Sequence, residues 1–379
     1  MKVYLDNGAT TQTAKEVADA MMVYLTEKYG NASSLYSLGQ EAYAALEKSR
    51  AAIAQKLNAE PDEIIFTSGG SESDNLAIKG AAYANREKKH IITTKIEHPA
   101  VTEACKTLEK KGFEITYLGV DSEGFIDLKE LENAITPNTL LVSVVAANNE
   151  IGTIQPLAEI GRICSEKGVL FHTDAVQAFT KIPLDVKKQK ISLLSVSAHK
   201  IHGPKGVGAL YVKKGTKIMK LIDGGPQEKK MRAGTENVAG AVAFAKAATL
   251  ISPQDITRMT RLRDKLMNAL LKIPNTKLNG PRNSRLCNNV NISFKQIEGE
   301  GLLMRLDSKG IAVSTGSACS SHELKPSHVL LATGMSAVDA HGSLRFTLSK
   351  YTTQKEIDYV LEVMPGIVAG LRKLSPLAR

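Results

Sequence analysis

Short apolar runs alternate along most of the chain with longer stretches of helical periodicity. Residues 4–11 are turn-rich and without period. A helical pattern then covers residues 14–29, is broken by Gly30-Asn31-Ala32-Ser33-Ser34, and resumes over 40–57. From there the period switches repeatedly. Strand-like runs at 63–67, 90–94, 114–118, 140–146, 170–173, 193–197 and 208–212 are interleaved with helical stretches at 72–88, 99–111, 128–134 and 157–167. Strands separated by helices predict βαβ units and a mostly parallel sheet. The fold class expected is therefore α/β, a mostly parallel mixed central sheet flanked by helices, over residues 15–250. A charged amphipathic helix at 255–271 reads as a connector. Strands at 289–294, 311–314 and 344–348, with helices at 300–308 and 354–374, predict a smaller α+β domain formed by residues 1–14 and 251–379. There are no internal repeats and no low-complexity tract.

Composition narrows the class. Of 379 residues, 43% are hydrophobic and 23% charged, as in ordinary globular proteins. No apolar run approaches the roughly 18 residues of a spanning helix, and the first residues lack the architecture of a signal peptide. A cytoplasmic protein is expected, with no membrane contact. The formal net charge of +10 is scattered in pairs such as Lys110-Lys111 and Lys213-Lys214, and aromatics are only 5%. That argues against nucleic acid and for a diffuse field toward an anionic cofactor, substrate or acidic partner. Cys105, Cys164, Cys287 and Cys319 form no C-x-x-C pair, so resident metal and disulfide readings lack support.

Several short stretches carry candidate chemistry. Ser197-Ala198-His199-Lys200 ends a predicted strand. A lysine held there against apolar walls becomes a usable nucleophile toward an aldehyde, and otherwise is one surface lysine among many. Ser68-Gly69-Gly70-Ser71 joins a strand to a helix. It reads either as an anion cradle at a helix N-terminus or as a plain turn with Ser71 as N-cap and Glu72 and Asp74 complementing the dipole. Asp174, in His172-Thr173-Asp174-Ala175-Val176-Gln177, ends a strand facing the crevice where open α/β sheets bind ligands, or caps a following helix. Asn148-Asn149 could order a ligand or close a turn. His98 could stack on a flat ring and move protons, or be merely solvated. The small-residue run from Ser314 to Ser321 puts Cys319 on a loop suited to a travelling nucleophile, or to a plain surface thiol. Arg345, in a predicted strand, suits a carboxylate of the protein or of a ligand.

Together these stretches resemble one family along essentially the whole chain. FTSGGSESDNLAIKG (66–80), EHPAV (97–101), ANNEIGTIQP (147–156), HTDAVQ (172–177), SAHKIHGPKGVGALYV (197–212), STGSACSSHELKPSHVL (314–330) and SLRFTLSKYTT (343–353) are similar to the cysteine desulfurases of the NifS/IscS class. These are class V aminotransferase-like enzymes of the fold-type I pyridoxal-phosphate group. The resemblance implies pyridoxal 5'-phosphate as cofactor, with Lys200 as its Schiff-base lysine. Asp174 would pair with the ring nitrogen, Gln177 and Asn149 would contact the ring-oxygen side, and His98 would stack on the ring. Gly70, Ser71, Ser197 and His199 would hold the phosphate. Thr235 would reach the phosphate of a neighbouring subunit, making a homodimer with shared sites.

On the same grounds Arg345 would bind the substrate carboxylate, assisted by Asn149 and the loop at Asn31. Cys319 would accept sulfur from L-cysteine, release alanine, and pass its persulfide to an iron–sulfur scaffold protein or a tRNA-thiolation enzyme. Cys319 could transiently ligate a cluster on such a scaffold; no resident metal is implied. The alternatives are a selenocysteine lyase or another class V aminotransferase-like enzyme, and a non-catalytic assembly protein. Intact Lys200, Asp174 and Cys319 argue against the last. Three departures stand out. Pro226 and Lys230 interrupt the family's glycine-rich GGGQERGLRSGT, Ala32 replaces a proline, and His322 lies near Cys319, where it could tune the thiol.

Overall fold

The structure, a computed structural model, describes residues 1–315 and 326–375. Cys319 and His322 lie outside the described residues. The chain opens with a two-residue strand, β1 (Val3–Tyr4), and then enters the helices Lys15–Thr26 and Ser37–Leu57. Seven strands follow: β2 (Ile64–Thr67), β3 (His90–Thr94), β4 (Glu114–Leu118), β5 (Thr139–Ser143), β6 (Leu170–Asp174), β7 (Leu193–Ser197) and β8 (Gly208–Val212). They form one sheet in the order β2-β8-β7-β6-β5-β3-β4. Only β8 runs antiparallel to its neighbours β2 and β7. Strands β3, β5 and β7 are buried along their whole length. This is why they read as continuous apolar runs: helices cover both faces of a mainly parallel sheet.

The remaining strands are β9 (Thr276–Leu278), β10 (Asn289–Phe294), β11 (Ile311–Ala312), β12 (Ser314–Thr315) and β13 (Ser343–Thr347). Four of them form an antiparallel sheet, β12-β13-β10-β9, while β11 pairs in parallel with β1. Val3 and Leu5 belong to the same apolar cluster as residues of the helices Pro253–Leu270 and Gln354–Leu374.

Element boundaries mostly match the expectation, with instructive exceptions. The strand expected over 140–146 ends at Ser143. The run expected as one strand at 311–314 is divided between two sheets. The helix expected from 72 begins at Gly70, with Gly69 at its N-cap, so Ser71 lies inside the first turn and is not the cap. A helix at Val238–Ala248 was not expected. Its sequence, VAGAVAFAKAA, has almost no polar face because it packs against both Lys15–Thr26 and Ser37–Leu57.

One buried ion pair fastens the loop that contains Pro226 and Lys230. The Arg50 guanidinium, 2% exposed, donates to Glu228 through Nη1 (2.7 Å) and Nη2 (3.0 Å). Glu228 Oε2 also accepts the Phe66 N–H at 2.8 Å. These bonds hold three consecutive non-glycine residues, Glu228, Lys229 and Lys230, at φ of 42°, 57° and 67°, a conformation costing roughly 1–2 kcal/mol per residue. Lys230 thus takes up the left-handed backbone without glycine. Glu228→Ala leaves the guanidinium buried without its main carboxylate, and we expect a loss of about 3–5 kcal/mol. Chemical denaturation would show it as a lower midpoint, and an unchanged midpoint would mean that the pair does not hold the loop.

Candidate active site

Because β2 runs parallel to β7 through the reversed β8, the C-terminal ends of β2, β3, β5, β6 and β7 lie along one edge of the sheet. Each delivers polar residues there. Beyond β2 the helix Gly70–Ala84 starts, and beyond β3 comes His98. Asn149 follows β5, Asp174 ends β6, and Ser197 ends β7, just ahead of the short turn Ala198–Lys200. These residues line one cavity of about 310 Å³, together with Gln177, His199, Arg345 and the backbone of Gly8 and Ala9. An adjoining hollow runs from Ser68 to Glu72 and includes His199 and Lys205.

Lys200 is half-buried, and its Nζ donates to the carbonyls of Gly8 and Ala9, each at 2.6 Å. Gln177 Nε2 donates to the same Gly8 carbonyl at 2.8 Å. Asp174 is 6% exposed, and its Oδ1 accepts the Val176 N–H at 2.9 Å. It does not cap a helix. Burial raises its pKa above the usual carboxylate value, while His98, that N–H and Lys200 counter the rise. His98 is the N-cap of the helix Pro99–Glu109: its Nδ1 accepts the Ala100 N–H at 3.1 Å, which assigns the ring proton to Nε2. Burial lowers the pKa of His98. His199 Nδ1 lies 3.2 Å from the Thr10 hydroxyl, and burial followed by the nearby Lys200 brings it down to about 4.

The helix at Gly70 has no side-chain cap, so its first N–H groups face the cavity and hollow unsatisfied by a capping side chain. Gly69 sits at φ 155°, and a Cβ on Gly70 would meet Val176 Cγ2 at 2.7 Å. This close approach of backbone to the opposite wall requires glycine. Arg345, 2% exposed, donates through Nη2 to Asp6 (3.0 Å) and through Nη1 to the Asn149 carbonyl (3.1 Å). Its Nε is buried and has no hydrogen-bond partner among the described residues. Asn148, by contrast, closes a turn: Oδ1 accepts the N–H groups of Glu150 and Ile151, and Nδ2 donates to the Ile96 carbonyl.

Asn31 and Thr235 are exposed and do not line the cavity. Asn31 Oδ1 accepts the Ser33 N–H at 2.9 Å, which shapes its own turn. Asp74, read from the sequence as a dipole-complementing acid, is instead 1% exposed and lines the cavity. Its spacing from Ala77, Ile78 and Ala81, all fully buried, places it on the apolar stripe of its helix. That phase was the available signal. Among the described residues no helix is long and apolar enough to cross a membrane.

Known proteins resemble this chain in both sequence and fold. The aminotransferase class-V family model matches residues 3–360. A cysteine desulfurase IscS from Methanosarcina thermophila is 54% identical over 379 residues, spanning 99% of this chain and 94% of that protein. A solved NifS-like protein superposes with a TM-score of 0.93 at 42% identity, covering 98% of this chain and all of that one. The structure of SspA in complex with cysteine superposes with a TM-score of 0.84 at 35% identity, covering 93% of this chain and all of that one. With the family model spanning nearly the whole chain and relatives this similar at full length, the chain belongs to the class-V aminotransferase family, among the cysteine desulfurases of the NifS/IscS class.

Proposed function

We propose that this protein is a pyridoxal 5'-phosphate-dependent cysteine desulfurase, which takes sulfur from L-cysteine and leaves L-alanine and a persulfide on Cys319. The observation that carries this reading is convergence. A lysine amine, a buried carboxylate, an uncapped helix N-terminus and a buried arginine share one cavity of about 310 Å³. The donor set suits the cofactor's charges. Gly70, Ser71, Ser197 and His199 offer N–H and hydroxyl groups to a phosphate at the helix N-terminus, and Asp174 offers an anion to a protonated ring nitrogen. Asn149 and Gln177, which line the same cavity, would flank the ring-oxygen side. When bound there, the cofactor supplies the electron sink that weakens bonds to the substrate's α-carbon and its neighbour.

The protein's own groups supply the rest. Lys200, once its amine leaves the Gly8 and Ala9 carbonyls, serves as nucleophile and then as proton carrier. His98 is neutral near pH 7, so it can exchange a proton at the ring face. Arg345 takes the substrate carboxylate, its Nε being available beside the bonds to Asp6 and Asn149. The Cys319 thiolate attacks the substrate sulfur. The new S–S bond forms as the C–S bond breaks, and the electron pair stays on carbon, where protonation gives alanine.

The persulfide then passes to an acceptor such as an iron–sulfur scaffold protein. Thr235 on the surface, and the exposed Tyr29, Leu35 and Tyr36 around the Asn31 turn, support a homodimer in which Thr235 reaches the neighbour's phosphate.

Borohydride reduction followed by proteolysis should find the cofactor on the Lys200 peptide and nowhere else, and Lys200→Ala should carry none. Attachment to another lysine would sink the reading. Arg345→Gln should raise KM for L-cysteine about tenfold to a hundredfold, as expected for losing a charged hydrogen bond worth about 1.5–3 kcal/mol. An unchanged KM would confine Arg345 to its contact with Asp6. Cys319→Ser should retain the cofactor yet form neither alanine nor persulfide from L-cysteine, whereas full turnover would favour a selenocysteine-type lyase.

A further inference from the structure

Asp74 is an acid in the cavity wall that the reaction described above does not use. Its Oδ1 is buried without a hydrogen-bond partner among the described residues. The nearest ring nitrogen is His172 Nε2 at 3.6 Å. His172 precedes Asp174 by two residues on the same face of β6. Ser143 Oγ engages its Nδ1 at 2.8 Å and Ser195 Oγ its Nε2 at 3.1 Å. Burial brings His172 down to about 3, so the ring is neutral and gives Asp74 no cation to pair with. A carboxylate oxygen of Asp74, a ring nitrogen of His98 and a carboxylate oxygen of Asp174 all lie within 4.8 Å of one another. Two carboxylates this close, both out of water, disfavour each other's ionisation.

Their surroundings decide which acid keeps the proton. Asp174 accepts the Val176 N–H and faces His98 and Lys200, all of which favour its anion. Asp74 faces Asp174 on β6 and Glu97 in the turn after β3, with only the Ser195 hydroxyl from β7 in compensation. Burial, then Asp174, pushes Asp74 well above the usual carboxylate range. We propose that Asp74 and Asp174 share a single proton near neutral pH, that Asp74 holds it, and that Asp74 is thereby a positioning residue keeping Asp174 ionised toward the cofactor's ring nitrogen. Only the last clause rests on the proposed cofactor.

Infrared spectroscopy of the full-length protein, with carboxyl-labelled aspartate at pH 7, tests it. A protonated aspartate band is expected with the cofactor bound and after it is stripped, and should vanish in Asp74→Asn. A band that survives in Asp74→Asn puts the proton on Asp174 and overturns the proposal, as does the absence of any such band in the wild type. A second reading comes from thermal melting of the stripped protein. An acid whose pKa is raised by folding binds its proton more tightly in the folded state, so its contribution falls as pH rises above about 4, its unfolded value. Glu97 is raised too, but remains in both proteins. The melting temperature of Asp74→Asn minus that of wild type should therefore increase between pH 5 and pH 9, and a flat difference would count against the proton on Asp74. If the cofactor fails to bind while the band behaves as expected, the functional reading falls and the shared proton stands.

Discussion

A strap of backbone near the N-terminus holds the site together. Between Asp6 and Thr11 the chain runs along the seam between the two larger sheets and bonds to both. Toward β13, Asp6 pairs with Arg345, Asn7 Nδ2 donates to the Thr347 carbonyl, and the Gly8 N–H donates to Thr347 Oγ1 at 2.6 Å. Toward the central sheet, the Gly8 and Ala9 carbonyls accept from Lys200, Thr10 meets His199, and Thr11 donates to the His199 carbonyl. The groups proposed to hold substrate and the groups proposed to hold cofactor are thus set relative to one another through six residues. Space at its centre is tight: a Cβ on Gly8 would lie 3.0 Å from Thr347 Cγ2 and 3.3 Å from Arg345 Cζ.

Burial shapes the charge of the site as much as contacts do. His172 and His199 are depressed to about 3 and about 4, and Glu97 and Glu150 are raised to about 8 and about 7, each chiefly by desolvation. Burial thus disfavours the charged forms of several titratable groups near the cavity, while Arg345 is paired with Asp6 at 3.0 Å. The Glu150 side chain and the Glu97 backbone also anchor the start of the helix His328–Ala332. Ser327 Oγ donates to Glu150 at 2.5 Å, and His328 Nε2 donates to the Glu97 carbonyl at 3.0 Å.

Much of this was legible in the sequence, because a strand buried on both faces and a helix with one apolar stripe write different periods. Lys200 and Asp174 could be read because each ends an apolar run with a residue that an apolar run has no reason to contain. What escaped depends on partners distant in the chain. Strand β1 is only two residues long and pairs with Ile311 and Ala312, so nothing local marks it. The break at Val313 that sends β11 and β12 to different sheets is equally invisible locally. The helix Val238–Ala248 is apolar nearly all round and shows no stripe. Asp74 escaped for a different reason: its phase was readable, but an acid in the first turns of a helix is usually explained by the dipole.

The atoms that hold Lys200 and Gln177 from the strap are main-chain carbonyls, which every amino acid possesses. Substitution at Ala9 leaves its oxygen in place as long as the backbone follows the same course. Sequence drift at Ala9 is therefore filtered by conformation more than by chemical identity. A homologue could carry an unfamiliar residue there and still present the same oxygens to the lysine, so the strap would be recognised by its path where its letters had changed.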